Sequence, residues 1–115
     1  MKIFLVIIFF AMVWASPANA APLDSFVRCL KDKGAVFYGA YWCPYCRNQK
    51  AMFGRSQKLL PYVECSEQST KSERVACRGI LGFPTWKFAD GSRLMGELPL
   101  GMLAEKMGCK LPKSQ

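Results

Sequence analysis

The sequence contains no histidine. That removes the side chain that titrates nearest neutral pH and the commonest nitrogen ligand of zinc. Hydrolase chemistry of the Ser–His or Cys–His kind is excluded with it. Acidic residues are scarce: 8 Asp and Glu stand against 16 Lys and Arg, for a net charge of +8. The basic residues are dispersed rather than blocked. Lys31, Lys33, Arg47, Lys50, Arg55 and Lys58 fall at mixed faces of helical segments, which reads as solvated surface, with attraction to acidic partners or an anionic membrane surface as the sharper alternative. No run interleaves aromatic and basic residues as a nucleic-acid-binding surface does, so no nucleic-acid partner is expected. There is no internal repeat or low-complexity segment. Beyond the first twenty positions no apolar run approaches the roughly 20 residues that span a bilayer.

The N-terminus reads MKIFLVIIFFAMVWASPANA: one Lys, an apolar run from Ile3 to Trp14, and small residues ending in Ala18-Asn19-Ala20. This is the layout of a cleaved secretory signal peptide over residues 1–20, the apolar run being too short for a membrane anchor. The expectation is a soluble mature protein of residues 21–115, one small domain, in an oxidising compartment such as the periplasm.

Cysteine is plentiful. All six (Cys29, Cys43, Cys46, Cys65, Cys77 and Cys109) fall within residues 21–115. An even count in a small exported domain favours disulfides over metal, although six cysteines allow 15 pairings. Only Cys43 and Cys46 form a close pair. Cys65 and Cys77 are too far apart for the second C-x-x-C of a compact zinc site, and no metal is expected. Met52, Met95, Met102 and Met107 read as core filling rather than as a copper site.

Along residues 21–115 the pattern is helix, strand, helix, strand, helix, hairpin, helix. PLDSFVRCLKDKG has a helical apolar stripe of Leu23, Phe26, Val27 and Leu30, with Gly34 as its stop. AVFYGAYW reads as a strand running into Cys43. PYCRNQKAMFGRSQKLL reads as a helix with Pro44 in its first turn, Met52 and Phe53 toward the core, and Gly54 kinking or ending it. PYVECS is a second strand. STKSERVACRGIL is a helix capped by Ser69 or Thr70 with Glu73 in place for a capping box. Thr85–Phe88 and Arg93–Met95 form a hairpin around Asp90-Gly91. Pro99 opens a last helix with Leu100, Leu103 and Met107 on its apolar side and Gly108 at its end. Such an order gives an α/β fold: a mixed sheet of about four strands flanked by helices.

Cys43 stands at a strand-to-helix junction. A helix N-terminus carries a partial positive charge and free N–H groups, and both favour a thiolate. Cys46 lies one helical turn on and can close a disulfide with it, so that one thiol attacks and the other resolves. In GFPTW, Pro84 begins a strand where a proline lacks a ladder donor. A cis Phe83–Pro84 bond would accommodate it. Phe37 and Tyr38 read as strand and core filling. Trp42, beside Cys43, and Tyr45, between the cysteines, read as exposed residues able to touch substrate.

Taken together, YGAYWCPYC, GFPTW and DG resemble a thioredoxin-fold oxidoreductase. More narrowly, GAYWCPYCRNQKAMFG, LPYVECS, Cys77, GFPTWKFADG and LPLGMLAEKMGC resemble the thioredoxin-like domain fused to vitamin K epoxide reductase homologues, here as a stand-alone exported form. The resemblance runs from about Asp24 to Cys109. It implies a thioredoxin-like fold, Cys43 as the attacking and Cys46 as the resolving thiol, and Pro84 lying cis against the pair. Client chains would dock on Trp42, Pro44, Tyr45, Phe83 and Pro84. It also implies disulfide exchange between client proteins and a membrane quinone-linked partner, by a monomer without a cofactor. The family's second cysteine pair maps onto Cys65 and Cys77. In one respect the chain departs from thioredoxins: the residue six positions before Cys43 is Phe37, where they carry a buried acid.

A Cys65–Cys77 bridge would pin the loop from Ser66 to Thr70, either as a permanent staple or as a second redox pair. Cys29 and Cys109, in the first and last helices, pair by elimination; two buried free thiols are the alternative. Three functions remain open at this level: an oxidant or shuttle, a reductase or isomerase, and a non-catalytic module held by three disulfides.

Overall fold

The computed structural model describes residues 22–112, so the expected signal peptide over residues 1–20 lies outside the described residues, as do the ends of the expected 21–115 domain. The elements are α1 (Asp24–Asp32), β1 (Val36–Gly39), α2 (Pro44–Ala51), a 3-10 helix (Gly54–Leu59), β2 (Tyr62–Glu64), α3 (Lys71–Ala76), β3 (Thr85–Lys87), β4 (Arg93–Met95) and α4 (Leu100–Met107). The sheet order is β2-β1-β3-β4. β1 pairs in parallel with β2, placing Phe37 opposite Tyr62 and Gly39 opposite Glu64; β1–β3 and β3–β4 are antiparallel. A four-stranded mixed sheet flanked by helices is the arrangement of a thioredoxin-like fold.

The core lies where the helices meet the sheet. Phe26, Val27 and Leu30 from α1, Phe37 from β1, Trp86 from β3 and Leu103 from α4 are all at most 1 % exposed. Phe37 and Trp86 stack with centroids 4.9 Å apart. Gln49, a polar residue with no exposed surface, crosses this core. The Gln49 side-chain oxygen accepts from the Trp86 indole N–H at 3.1 Å and from the Leu98 backbone N–H at 2.7 Å, while its amide donates to the Leu98 carbonyl at 3.1 Å. Gln49 thereby ties α2 to β3 and to the segment entering α4.

Three expectations need correction. β1 ends at Gly39 rather than running on to Trp42, because Ala40 turns the chain: the Cys43 N–H donates to the Ala40 carbonyl at 3.1 Å. Met52 is exposed while Phe53 is buried, since α2 stops at Ala51 and a 3-10 helix begins at Gly54, whose φ of 53° suits a residue without a side chain. Met95 and Met102 are also exposed; of the four methionines read as core filling only Met107 packs against the core. The core volume is already taken by aromatic and leucine side chains.

Two disulfides are present. Cys29–Cys109 joins α1 to the residue after the α4 cap, and Cys65–Cys77 joins the end of β2 to the C-cap of α3. Lys33 adds a second tie between α1 and α4, its ammonium donating to the Gly108 carbonyl at 3.0 Å.

Candidate active site

Cys43 and Cys46 are the free cysteines of the described residues. Cys43 is the N-cap of α2, extended at φ −79° and ψ 118°, with Pro44 at the first helical position. A capping residue offers its side chain to the first unpaired N–H groups of a helix. Here the acceptor is sulfur: the Cys46 N–H points at Cys43 Sγ at 3.3 Å. The helix end adds positive potential beside this sulfur.

The two sulfurs have different surroundings. Cys46 is 0 % exposed and Cys43 4 %. Burial pushes the Cys46 thiol up to about 12, with the hydrogen bond to Cys43 adding to the shift and the Ala40 backbone and Lys50 charge opposing it. At neutral pH Cys46 therefore holds its proton, leaving Cys43 to act first.

The rim around Cys43 is apolar and aromatic. Cys43 Sγ lies 3.8 Å from the Phe83 carbonyl oxygen. The Phe83–Pro84 bond is cis and Pro84 is fully buried, so of these two residues it is half-buried Phe83 that faces outward. Trp42, 52 % exposed, meets the Phe83 ring edge-on at 6.2 Å, while Pro44 and Tyr45 are exposed on the first turn of α2. Trp42, Phe83, Pro44 and Tyr45 thus surround the sulfur at the surface, and Pro84 lies beneath them. Tyr41 is also exposed. Leu81, 93 % exposed, and Met95, which approaches Gly82, continue an apolar strip that the sequence reading did not assign to the site.

A second group of residues lies under Cys46. A Cβ on Gly39 would sit 3.1 Å from Cys46 Sγ, 2.9 Å from Tyr62 Cε2 and 3.3 Å from the Tyr62 hydroxyl. The Tyr62 hydroxyl donates to Glu64 Oε1 at 2.9 Å, and Glu64 Oε2 accepts the Tyr41 backbone N–H at 3.1 Å. Lys50 covers the outer face of this group, its ammonium 3.6 Å from the Tyr62 ring centroid. Burial first, then the Glu64 hydrogen bond and nearby negative charge including that of Cys46, push the Tyr62 phenol above its ordinary range. The sequence signal for this group is faint. Tyr62 and Glu64 share one strand face at a spacing of two, but their position under Cys46 follows from the parallel register of β2 on β1.

No protein-family model matches the chain. Over 91 residues it is 43 % identical to thiol-disulfide oxidoreductase LTO1 of Arabidopsis thaliana, a match that covers 74 % of this chain and 24 % of that protein. The chain thus spans about a quarter of its relative's length.

Proposed function

We propose that this chain is a thiol–disulfide oxidoreductase that exchanges a Cys43–Cys46 disulfide with client proteins. The observation that carries the reading is the Cys43 sulfur at the N-cap of α2, with the Cys46 N–H on it and the Cys46 thiol buried one turn behind. The similarity to a protein named for thiol–disulfide oxidoreduction supports it. So does the apolar rim of Trp42, Tyr45 and Phe83, a surface on which an extended client chain can rest.

In the oxidising direction a client thiolate attacks Cys43 Sγ. The Cys43–Cys46 bond breaks, a client–Cys43 mixed disulfide forms, and Cys46 leaves as a thiolate that takes up a proton. A second client thiolate then attacks the client sulfur of the mixed disulfide. The client is oxidised by two electrons, and Cys43 departs as a thiolate stabilised by the helix end. A membrane quinone-linked partner of the vitamin K epoxide reductase type would reoxidise the pair. That part of the reading, and an exported setting, rest on the sequence resemblance and on the signal-like N-terminus. The Cys29–Cys109 and Cys65–Cys77 bridges are in keeping with an oxidising compartment.

The test is the reduction potential of the Cys43–Cys46 pair against glutathione buffers. A value of about −120 to −180 mV makes the chain a donor of disulfides, and about −270 mV makes it a reductase. A pair that does not titrate overturns the redox reading.

A further inference from the structure

Disulfide exchange at Cys43 and Cys46 moves a proton as well as electrons. Whenever Cys46 resolves a mixed disulfide its S–H bond must break, and whenever it leaves as a thiolate that bond must re-form. The Cys46 sulfur has no access to solvent, so bulk water is not its direct proton partner. β1 offers none either: Phe37 and Gly39 have no ionisable side chain, and Tyr38 between them alternates to the opposite face of the sheet.

The titratable and charged groups around Cys46 are few. From α2 there are Cys43, which is the sulfur under attack, and Lys50, a cation that can steady a thiolate but not receive a proton. From β2 there are Tyr62 and Glu64. Beyond them, Glu73 of α3 accepts the Glu64 backbone N–H and is already held by the Thr70 N–H, and Glu67 bonds the Tyr41 hydroxyl. Of these, only the Tyr62 hydroxyl shares with Cys46 Sγ the small space over Gly39, a point 3.1 Å from one and 3.3 Å from the other. Both atoms border that point, so they stand close enough for one bridging water to connect them. The hydroxyl in turn points at a carboxylate held on both oxygens, 2.9 Å away.

Resting on the exchange reading above, we propose that Tyr62 and Glu64 are the proton relay of Cys46. As Cys46 attacks the Cys43 sulfur of a mixed disulfide, its proton passes across one bridging water to the Tyr62 oxygen while the Tyr62 proton passes to Glu64 Oε1. The Cys46 S–H and the Cys43–client S–S bonds break, the Cys43–Cys46 S–S bond and a Glu64 O–H bond form, and the client leaves as a thiolate. The reverse direction returns the proton by the same path. Tyr62 is suited to passing a proton rather than keeping the charge, since its surroundings oppose ionisation. Lys50 over its ring and near Cys46 offsets the charge that develops.

The test uses the full chain with both structural disulfides intact and the Cys43–Cys46 pair reduced, mixed with one equivalent of dithiobis-nitrobenzoate. Cys43 releases the first coloured thiolate, and Cys46 the second. In Glu64→Gln, which preserves size, and in Tyr62→Phe, the first phase should keep its rate. The second should slow about tenfold or more near neutral pH and recover about tenfold per pH unit as hydroxide replaces the relay. A second phase unchanged in both variants overturns the proposal. So does a slowing confined to one of them, or one that is the same at every pH and accompanied by a slowed first phase, which marks a displaced site. Loss of the first phase from the wild type overturns the exchange reading and this proposal with it.

Discussion

Cys43 and Cys46 share a helical turn but not an environment, and their behaviour should divide accordingly. With the pair reduced, iodoacetamide near neutral pH should label Cys43 and spare Cys46, as peptide mapping would show. Cys43→Ser should abolish exchange, and Cys46→Ser should trap a client as a mixed disulfide visible on a non-reducing gel. The raised Cys46 ionisation has a further consequence for stability. In the folded reduced protein the thiol holds its proton up to about 12 rather than its ordinary 9.0, whereas the unfolded chain releases it earlier. The folded state binds more protons in that window, so stability is full below about pH 9 and falls as pH rises toward 12. Between pH 7 and pH 10 the urea midpoint of the reduced wild type should fall by more than that of Cys46→Ala. At this scale the sequence was informative where chemistry is local. The C-x-x-C behind an aromatic pair and the proline of GFPTW each carry their meaning within a few positions. Tyr62 and Glu64 do not, because nothing within PYVECS says which residue of β1 they lie beside.

At the scale of elements, two contacts hold the active helix in place. Gly39 is required by close approach rather than by backbone conformation: a Cβ there would meet Tyr62 Cε2 at 2.9 Å and Cys46 Sγ at 3.1 Å. Gly39→Ala should cost about 1–3 kcal/mol as the parallel β1–β2 pair and α2 are pushed apart, measurable by urea denaturation. Gln49→Leu should cost roughly 2–4 kcal/mol, because the buried Trp86 indole and Leu98 amide lose their common acceptor. α3 shows how far local signals reach. Thr70 accepts the Glu73 N–H while the Glu73 carboxylate accepts the Thr70 N–H, a capping box readable from STKSE. Ser69, the other candidate cap, instead donates its hydroxyl to the Glu64 carbonyl and accepts the Ser66 N–H. Which of two adjacent hydroxyls caps a helix depends on where the preceding strand ends, and that is a tertiary matter. The overlong reading of β1 has the same origin. Ala40, Tyr41 and Trp42 have every local reason to extend, and the turn back toward Ala40 is imposed by the helix that follows.

For the whole molecule, the two disulfides differ in reach. Cys65–Cys77 closes a sequence separation of 12 and Cys29–Cys109 one of 80. On the chain-entropy model the first stabilises by about 3 kcal/mol and the second by about 4.5 kcal/mol. Cys29→Ser/Cys109→Ser should therefore lower Tm more than Cys65→Ser/Cys77→Ser, with exchange at Cys43 surviving in both at permissive temperature. The long bridge also decides how the domain carries mechanical load. Cys29 and Cys109 flank the whole sheet, so tension applied beyond them runs through one covalent bond and bypasses β1, α2 and the reactive sulfur. In an optical trap the oxidised domain should show almost no extension from this region. Once that bond and the Cys65–Cys77 bridge inside it are both reduced, the same pull should unravel some 80 residues, about 27 nm of contour at about 3.4 Å each.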